Sequence, residues 1–367
     1  MNFLLVALLS LSSIASAQTW NSANDPALMD PNYVYNLNEL PTSGTLTQKP
    51  WSETYWPNNQ GSINFRWNDP SQQGFGTDSP SRDDVMSMSR AALEMLAPSE
   101  KYDIYMGHYD YPLKQEVSGI ADTRAPWWTG ICDGWTIAAT QYAEPQPVDA
   151  INPDGVIVPF GSSDIKALMS YAAAAHFSVK TAQVGLRCTG TIFASGCGKN
   201  DPNPGALHVI LANELGIKGQ AFVMDRDPSK QIWNQPVYGY TFQYLGDAKT
   251  HTDGGGVQVH TTIYYTDELD KSLWQPVTAT PQFKSNTLEM DYILDLDGNG
   301  NIVGGSMTGS DHPDFVWKAV NQLTFTDIMF GVNNLYVPVP ATGMPTTASV
   351  PVIPAATPVP PVPTAIL

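Results

Sequence analysis

Gly205-Ala206-Leu207-His208-Val209-Ile210-Leu211-Ala212 marks the point where this chain changes its pattern. Upstream of it, apolar residues recur at helical spacing. Ser81 is an N-cap candidate with Asp84 three residues on, and Val85, Met88, Ala92, Met95 and Leu96 then fall on one face. Pro98 is expected to end that helix, and Ser99 to cap another through Tyr105. Ser163 is placed to cap a third, with Ile165, Leu168, Met169 and Ala172 as its stripe and His176 near its end, on the surface. From Gly205 on, residues 206–212, 219–224, 238–245, 257–266 and 290–296 are β-rich runs, several of them separated by Gly-rich turns. Sequential strands without helices between them predict an antiparallel sheet. The expected fold class is therefore α+β, helical first and sheet second.

The ends of the chain are of another kind. Phe3–Leu9 is apolar and Ala15-Ser16-Ala17 is a small-x-small cleavage site, so residues 1–17 read as a secretory signal peptide. No later segment is apolar enough to span a bilayer. Residues 18 to 80 look irregular, and their tryptophans and tyrosines are expected to pack onto a later core. From Pro338 to Leu367, prolines alternate with Val, Ala and Thr without charge, which predicts a disordered tail suited to tethering or glycosylation at a cell wall. One domain over 18–337 is left. The net charge of −17 argues against nucleic acid and anionic membrane surfaces as partners.

The chain has three cysteines. Cys188 and Cys197 flank a short Gly-containing stretch and are expected to form a disulfide. Cys132, in Trp127-Trp128-Thr129-Gly130-Ile131-Cys132-Asp133-Gly134-Trp135, is left over. A free thiol in an oxidising compartment is a liability unless it is used or buried. Gly130 suits a turn and Thr136-Ile137-Ala138-Ala139 favours helix, so the thiol is expected at a helix N-terminus, where the dipole lowers its pKa. A cysteine nucleophile needs a base and a group that orients the base. His208, read as lying in a strand, is the candidate base. Asp225, at the end of the next strand, is the candidate third member, with Asp227 as its competitor. Trp127, Trp128 and Trp135 are candidates for substrate walls and an oxyanion donor, although Trp135 reads more simply as core.

Ile232-Trp233-Asn234-Gln235-Pro236-Val237-Tyr238-Gly239-Tyr240 is similar to the exposed peptide Val-Trp-Asn-Gln-Pro-Val-Arg-Gly-Phe of the secreted transglutaminase elicitors of oomycete plant pathogens and some marine bacteria. Tyr55-Trp56-Pro57, Leu96–Asp103 and His312-Pro313-Asp314-Phe315-Val316-Trp317 also resemble that family, and the likeness runs from about Trp51 to Ala319. It implies a papain-like, transglutaminase-like core with a Cys132, His208, Asp225 triad. It also implies a secreted protein-glutamine γ-glutamyltransferase that joins protein glutamine and lysine side chains through a thioester, and that plants sense through an elicitor peptide at Trp233, Asn234, Gln235, Pro236 and Val237. Tyr238 stands where the family peptide has Arg, and Ser306 where relatives often carry Glu. A cysteine peptidase or deamidase, and a non-catalytic wall-associated binding protein, are the rival functions. The chemistry requires no cofactor. Asp295, Asp297, Asn299 and Asn301 resemble the start of a calcium loop, but Ser306 replaces its last ligand. A β-hairpin turn is the preferred reading there, with weak calcium binding left open.

Overall fold

The computed structural model describes residues 19–71, 75–188, 200–245 and 256–340. A short strand β1 (Ser43–Thr45) precedes helices α1 (Arg82–Ser87), α2 (Arg90–Glu94), α3 (Pro98–Tyr105), α4 (Pro112–Val117) and α5 (Cys132–Gln141). A hairpin of β2 (Val148–Ile151) and β3 (Ile157–Phe160) leads to α6 (Ser162–Ala175). Then come β4 (Thr181–Gly185), α7 (Pro204–Leu211), β5 (Phe222–Asp225), β6 (Asn234–Leu245), β7 (Val257–Thr266), β8 (Ser285–Leu296), β9 (Ile302–Met307), β10 (Phe315–Ala319) and α8 (Val332–Leu335). The main sheet runs β4-β10-β5-β6-β7-β8-β9, antiparallel throughout, with β1 added on β6. The α+β class is as the residue pattern predicts.

The helical part departs from expectation in its boundaries. Ser81 and Asp84 form the predicted capping box, but Met88 is extended and Ser89 caps anew, so one expected helix is two. Pro98 begins α3 instead of ending its predecessor: at N1 the missing N–H has no helical partner to lose. Helix α6 is buried on nearly all sides, charges included. Lys166 Nζ meets Glu144 at 2.5 Å and the Ser52 carbonyl at 3.0 Å; Lys101 Nζ meets Asp164 at 2.7 Å. These pairs offset the desolvation that such burial costs. They also tie residues 51–56 to the helices. Trp51, Trp56 and Ile63 are fully buried, so the irregular early segment packs as expected.

The larger correction falls on residues 206–212. The expected strand is helix α7, entered through Asn203, whose Oδ1 accepts the Gly205 N–H at 2.9 Å, and Pro204 at the first position. A Cβ on Gly205 would lie 2.2 Å from the Gly304 carbonyl oxygen, so the first turn of α7 rests directly on the β9 backbone. The sheet separates two cores. Phe222 and Met224 of β5 and Val316 of β10 face the side that holds α7. Val223, Phe315 and Trp317 face the side that holds α5 and α6.

The expected boundary of the Pro-rich tail also moves. The Gln146 N–H donates to Val337 O at 2.8 Å, Gln146 Nε2 to Pro338 O at 2.8 Å, and the Val339 N–H to Glu144 O at 2.7 Å. Residues 1–17, Cys197 and residues 341–367 lie outside the described residues, so the signal peptide, the Cys188–Cys197 pairing and the rest of the tail remain expectations. Among the described residues no helix is long and apolar enough to cross a membrane. A chain ended after Val337 should melt below one ended after Pro340, by the equivalent of about 1–2 kcal/mol for the two lost hydrogen bonds. Equal midpoints in thermal denaturation would show that Pro338 and Val339 do not contribute to the fold.

Candidate active site

Cys132 is the first residue of α5. A Cβ at Gly130 would lie 2.3 Å from the Tyr55 carbonyl oxygen, and that same oxygen accepts the Ile131 N–H at 2.9 Å. The turn before the thiol is thus braced by residues 55 and 56. Cys132 is free and only 8% exposed.

The strands supply its partners. Asp225 lies opposite Asn234 across the β5–β6 ladder and opposite Phe315 across the β5–β10 ladder. Directly opposed residues point to one face with Cβ atoms about 5 Å apart, so Asp225 and Asn234 share the face that α5 covers. Asn234 Nδ2 donates to Cys132 Sγ at 3.5 Å. Trp317 Nε1 donates to Asn234 Oδ1 at 2.9 Å, which fixes the amide so that its NH2 faces the sulfur. The carboxylate of Asp225 accepts the Trp233 N–H at 2.8 Å through Oδ1, while Oδ2 is buried without a partner. Asp227 sits on the following turn, where its Oδ1 accepts the Ser229 N–H at 2.8 Å.

The electrostatics reverse one expectation. Burial pushes the Cys132 thiol up to about 12; the charge of Asp133 adds to this, the N–H groups of Asn234 pull it back in part, and the charge of Glu268 raises it further. Burial is thus the largest influence on the thiol and holds it toward its protonated form. Burial likewise raises the Asp225 carboxyl to about 7, against the N–H groups of Trp233 and Asp227 and with the charges of Asp314 and Asp227.

His208 does not join this group. It is a residue of α7, on the opposite face of the sheet from Cys132. Its ring stacks on Phe242 with centroids 3.7 Å apart, and Nδ1 is 2.9 Å from the Tyr292 hydroxyl. Burial lowers its pKa to about 3, so it is a neutral core histidine. The expected triad loses its base for a topological reason: a residue on a helix behind the sheet cannot reach a thiol in front of it.

The aromatic candidates divide. Trp135 is core, its Nε1 donating to Trp51 O at 3.0 Å, so it is no oxyanion donor. Trp127 is exposed and packs on Trp233 with centroids 5.4 Å apart; Tyr55 packs on the same indole at 5.3 Å and donates its hydroxyl to Trp127 O. Trp128 is half-buried. Expected as an exposed peptide, residues 234–238 are instead buried in β6, and only Trp233 of the 233–237 stretch is partly open. Asn234 is the site residue that the motif carried without its role being legible. Asp297 accepts the N–H groups of Asn299 and Asn301 and the Asn301 amide, which makes residues 297–301 the β8–β9 turn. No group of three or more His, Cys, Asp or Glu is placed to hold a metal among the described residues. A cleft of about 940 Å³ lies at the far end of α5, between Thr140–Tyr142, Gly219–Val223 and Lys318–Gln322, away from the thiol.

The model of the transglutaminase elicitor family matches residues 27–268, which include Cys132, Asp225 and Asn234. The chain belongs to the transglutaminase elicitor family. The crystal structure of the GP42 transglutaminase from Phytophthora sojae is similar to this member in fold, with a TM-score of 0.62 at 24% identity over 83% of this chain and 92% of that one. No sequence among curated proteins matches it. For this elicitor-family chain, the buried neutral histidine has a consequence for acid stability. Its folded pKa lies below the unfolded value of about 6.5, so unfolding takes up a proton and stability falls as pH drops from about 6.5 toward 3. His208→Phe should remove that slope. In urea unfolding, the stability gap between wild type and variant should narrow by roughly 2 kcal/mol from pH 7 to about pH 4.5; a constant gap would show that His208 is not held neutral.

Proposed function

We propose that the chain is a secreted protein-glutamine γ-glutamyltransferase in which Cys132 is the nucleophile and Asp225, not a histidine, exchanges its proton. The observation that carries this is the Cys132–Asn234–Trp317 chain, set beside a buried carboxyl that has one open oxygen. A carboxyl poised near 7 is matched to general acid–base work at neutral pH. Asp225 takes the thiol proton while Asn234 donates to the forming thiolate. The sulfur then attacks the side-chain amide of a protein glutamine, and the first N–H groups of α5, which have no intrahelical partners, lie where an oxyanion would form. Ammonia leaves, a thioester remains, and a lysine amine resolves it into an isopeptide.

The closed thiol favours a slender side chain presented end-on, as a glutamine is. Tyr55, Trp127 and Trp233 form an apolar rim that disfavours water against an amine, which supports transfer over hydrolysis. A receptor reading residues 233–237 on the folded protein would meet chiefly Trp233.

Amine incorporation into a glutamine peptide tests the assignment. Cys132→Ala should abolish it. Asp225→Asn should reduce it by about 10²–10⁴-fold with the fold kept, and His208→Phe should keep most of it. Loss of activity in the His208 variant with intact folding would restore the histidine as a catalytic group and end this proposal.

A further inference from the structure

Of the ten tryptophans, all among the described residues, only Trp127 is exposed, at 59%. A single exposed apolar side chain needs no explanation, but a contiguous apolar patch marks a place of interaction. Trp127 is part of such a patch. Its indole packs on Trp233 with ring centres 5.4 Å apart and planes tilted by 41°, and the Tyr55 ring meets the same indole edge-on at 5.3 Å. The three rings form one ledge, from half-buried Tyr55 and Trp233 out to open Trp127.

The ledge is held from behind. The backbone of Asn58 ties down both ends of the loop that carries Trp127: its carbonyl accepts the Asp122 N–H at 3.1 Å, and its N–H donates to Thr129 O at 2.9 Å. Within the loop the Tyr55 hydroxyl donates to Trp127 O at 2.7 Å, and Thr129 donates to Pro126 O through its N–H at 2.9 Å and its Oγ1 at 2.7 Å. Trp233 is fixed by its N–H on Asp225 Oδ1 at 2.8 Å and by its Nε1 on Gln231 Oε1 at 3.0 Å. A large ring already set in place loses little entropy when a partner covers it, so it makes a strong anchor. Hydrogen bonds also put the ledge beside the thiol. Tyr55 O accepts the N–H of Ile131, the residue before Cys132, and Trp233 directly precedes Asn234, whose amide donates to Cys132 Sγ.

We propose that Trp127, backed by Trp233 and Tyr55, is a specificity residue that selects glutamines standing beside an apolar residue in the donor protein, a role that rests on the acyl-transfer reading above. Cys132 is only 8% exposed, so a glutamine side chain enters end-on and its own backbone stays outside. An extended chain advances about 3.3 Å per residue. The neighbours of that glutamine therefore fall on a ledge whose two indoles lie 5.4 Å apart. The chemistry of the ledge sets the class of neighbour. The one cation of the 122–129 loop, Arg124, turns its guanidinium onto the Asp122 carboxylate at 3.1 Å, so it is engaged within the loop and not turned to an acidic neighbour. Covering indole faces with an apolar side chain removes both surfaces from water, whereas a serine in the same place brings little surface to bury.

The test joins a fluorescent primary amine to three glutamine peptides that are alike except for the residues on both sides of the glutamine, which are Leu, Ser or Arg. Initial rates over a range of peptide concentrations give kcat and KM for wild type, Trp127→Ala and Trp127→Phe. Wild type should favour the Leu peptide over the Ser peptide by about 10-fold in kcat/KM, the discrimination that a small apolar contact supplies. Trp127→Ala should cut that preference to about 2-fold, through a raised KM for the Leu peptide, and Trp127→Phe should keep most of it. A wild type that uses the three peptides alike, or that favours the Arg peptide, overturns the selection of apolar neighbours. A Leu preference that survives unchanged in Trp127→Ala overturns the role of Trp127. If Trp127→Ala does not fold, the wild type decides: a Leu preference of about 10-fold that Trp127→Phe keeps supports the proposal, and equal use of Leu and Ser peptides overturns it. A folded wild type that joins the amine to none of the peptides overturns the acyl-transfer reading itself, whereas an active wild type without preference overturns only the selection.

Discussion

The pairing of β5 with β6, which sets Asp225 opposite Asn234, is the constraint on which the site depends. Side chains alternate across a strand, so this register turns both residues toward α5 together with Val223 and Trp317. A slip by one residue would turn both away from the thiol and expose the apolar residues between them. The same alternation puts Phe222, Met224 and Val316 against α7, and with α7 goes His208. One ladder thus decides which polar groups can meet Cys132 and which cannot.

Burial sets the chemistry that those groups can perform. The thiol, Asp225 and Glu268 are all shifted toward their neutral forms by burial first, and the groups that act most strongly on the thiol include no cation. Among the described residues Cys132 Sγ is bonded by the Asn234 amide and by no imidazole. In the proposed reaction proton transfer accompanies attack, with Asn234 contributing its N–H groups as charge develops on sulfur. Burial of Cys132, which is only 8% exposed, also shields the free thiol from oxidants.

The sequence made the class of the fold legible, as well as the helix beginning at Cys132, because Gly130 and the alanines after Ile137 are local signals. The strand at 257–266 was read to the residue. Residues 206–212 misled because an apolar run without period fits a sheathed helix as well as a strand; Asn203-Pro204 was the signal that settles it. That one misreading moved His208 from the back of the sheet to the front and supplied a triad that the fold does not build. Asn234 was in view only as part of a recognised peptide. Its contact with Cys132 spans 102 residues of sequence, and no local pattern encodes a contact of that kind.

Capture of the acyl-enzyme tests the central claim most directly. Wild type and His208→Phe protein would be incubated with a short glutamine peptide in the absence of amine, quenched in acid and mapped by mass spectrometry. The account predicts in both a thioester on Cys132, with the mass of the peptide less ammonia. No adduct on Cys132 in the wild type, or an adduct that vanishes when His208 is replaced in a folded protein, would contradict it.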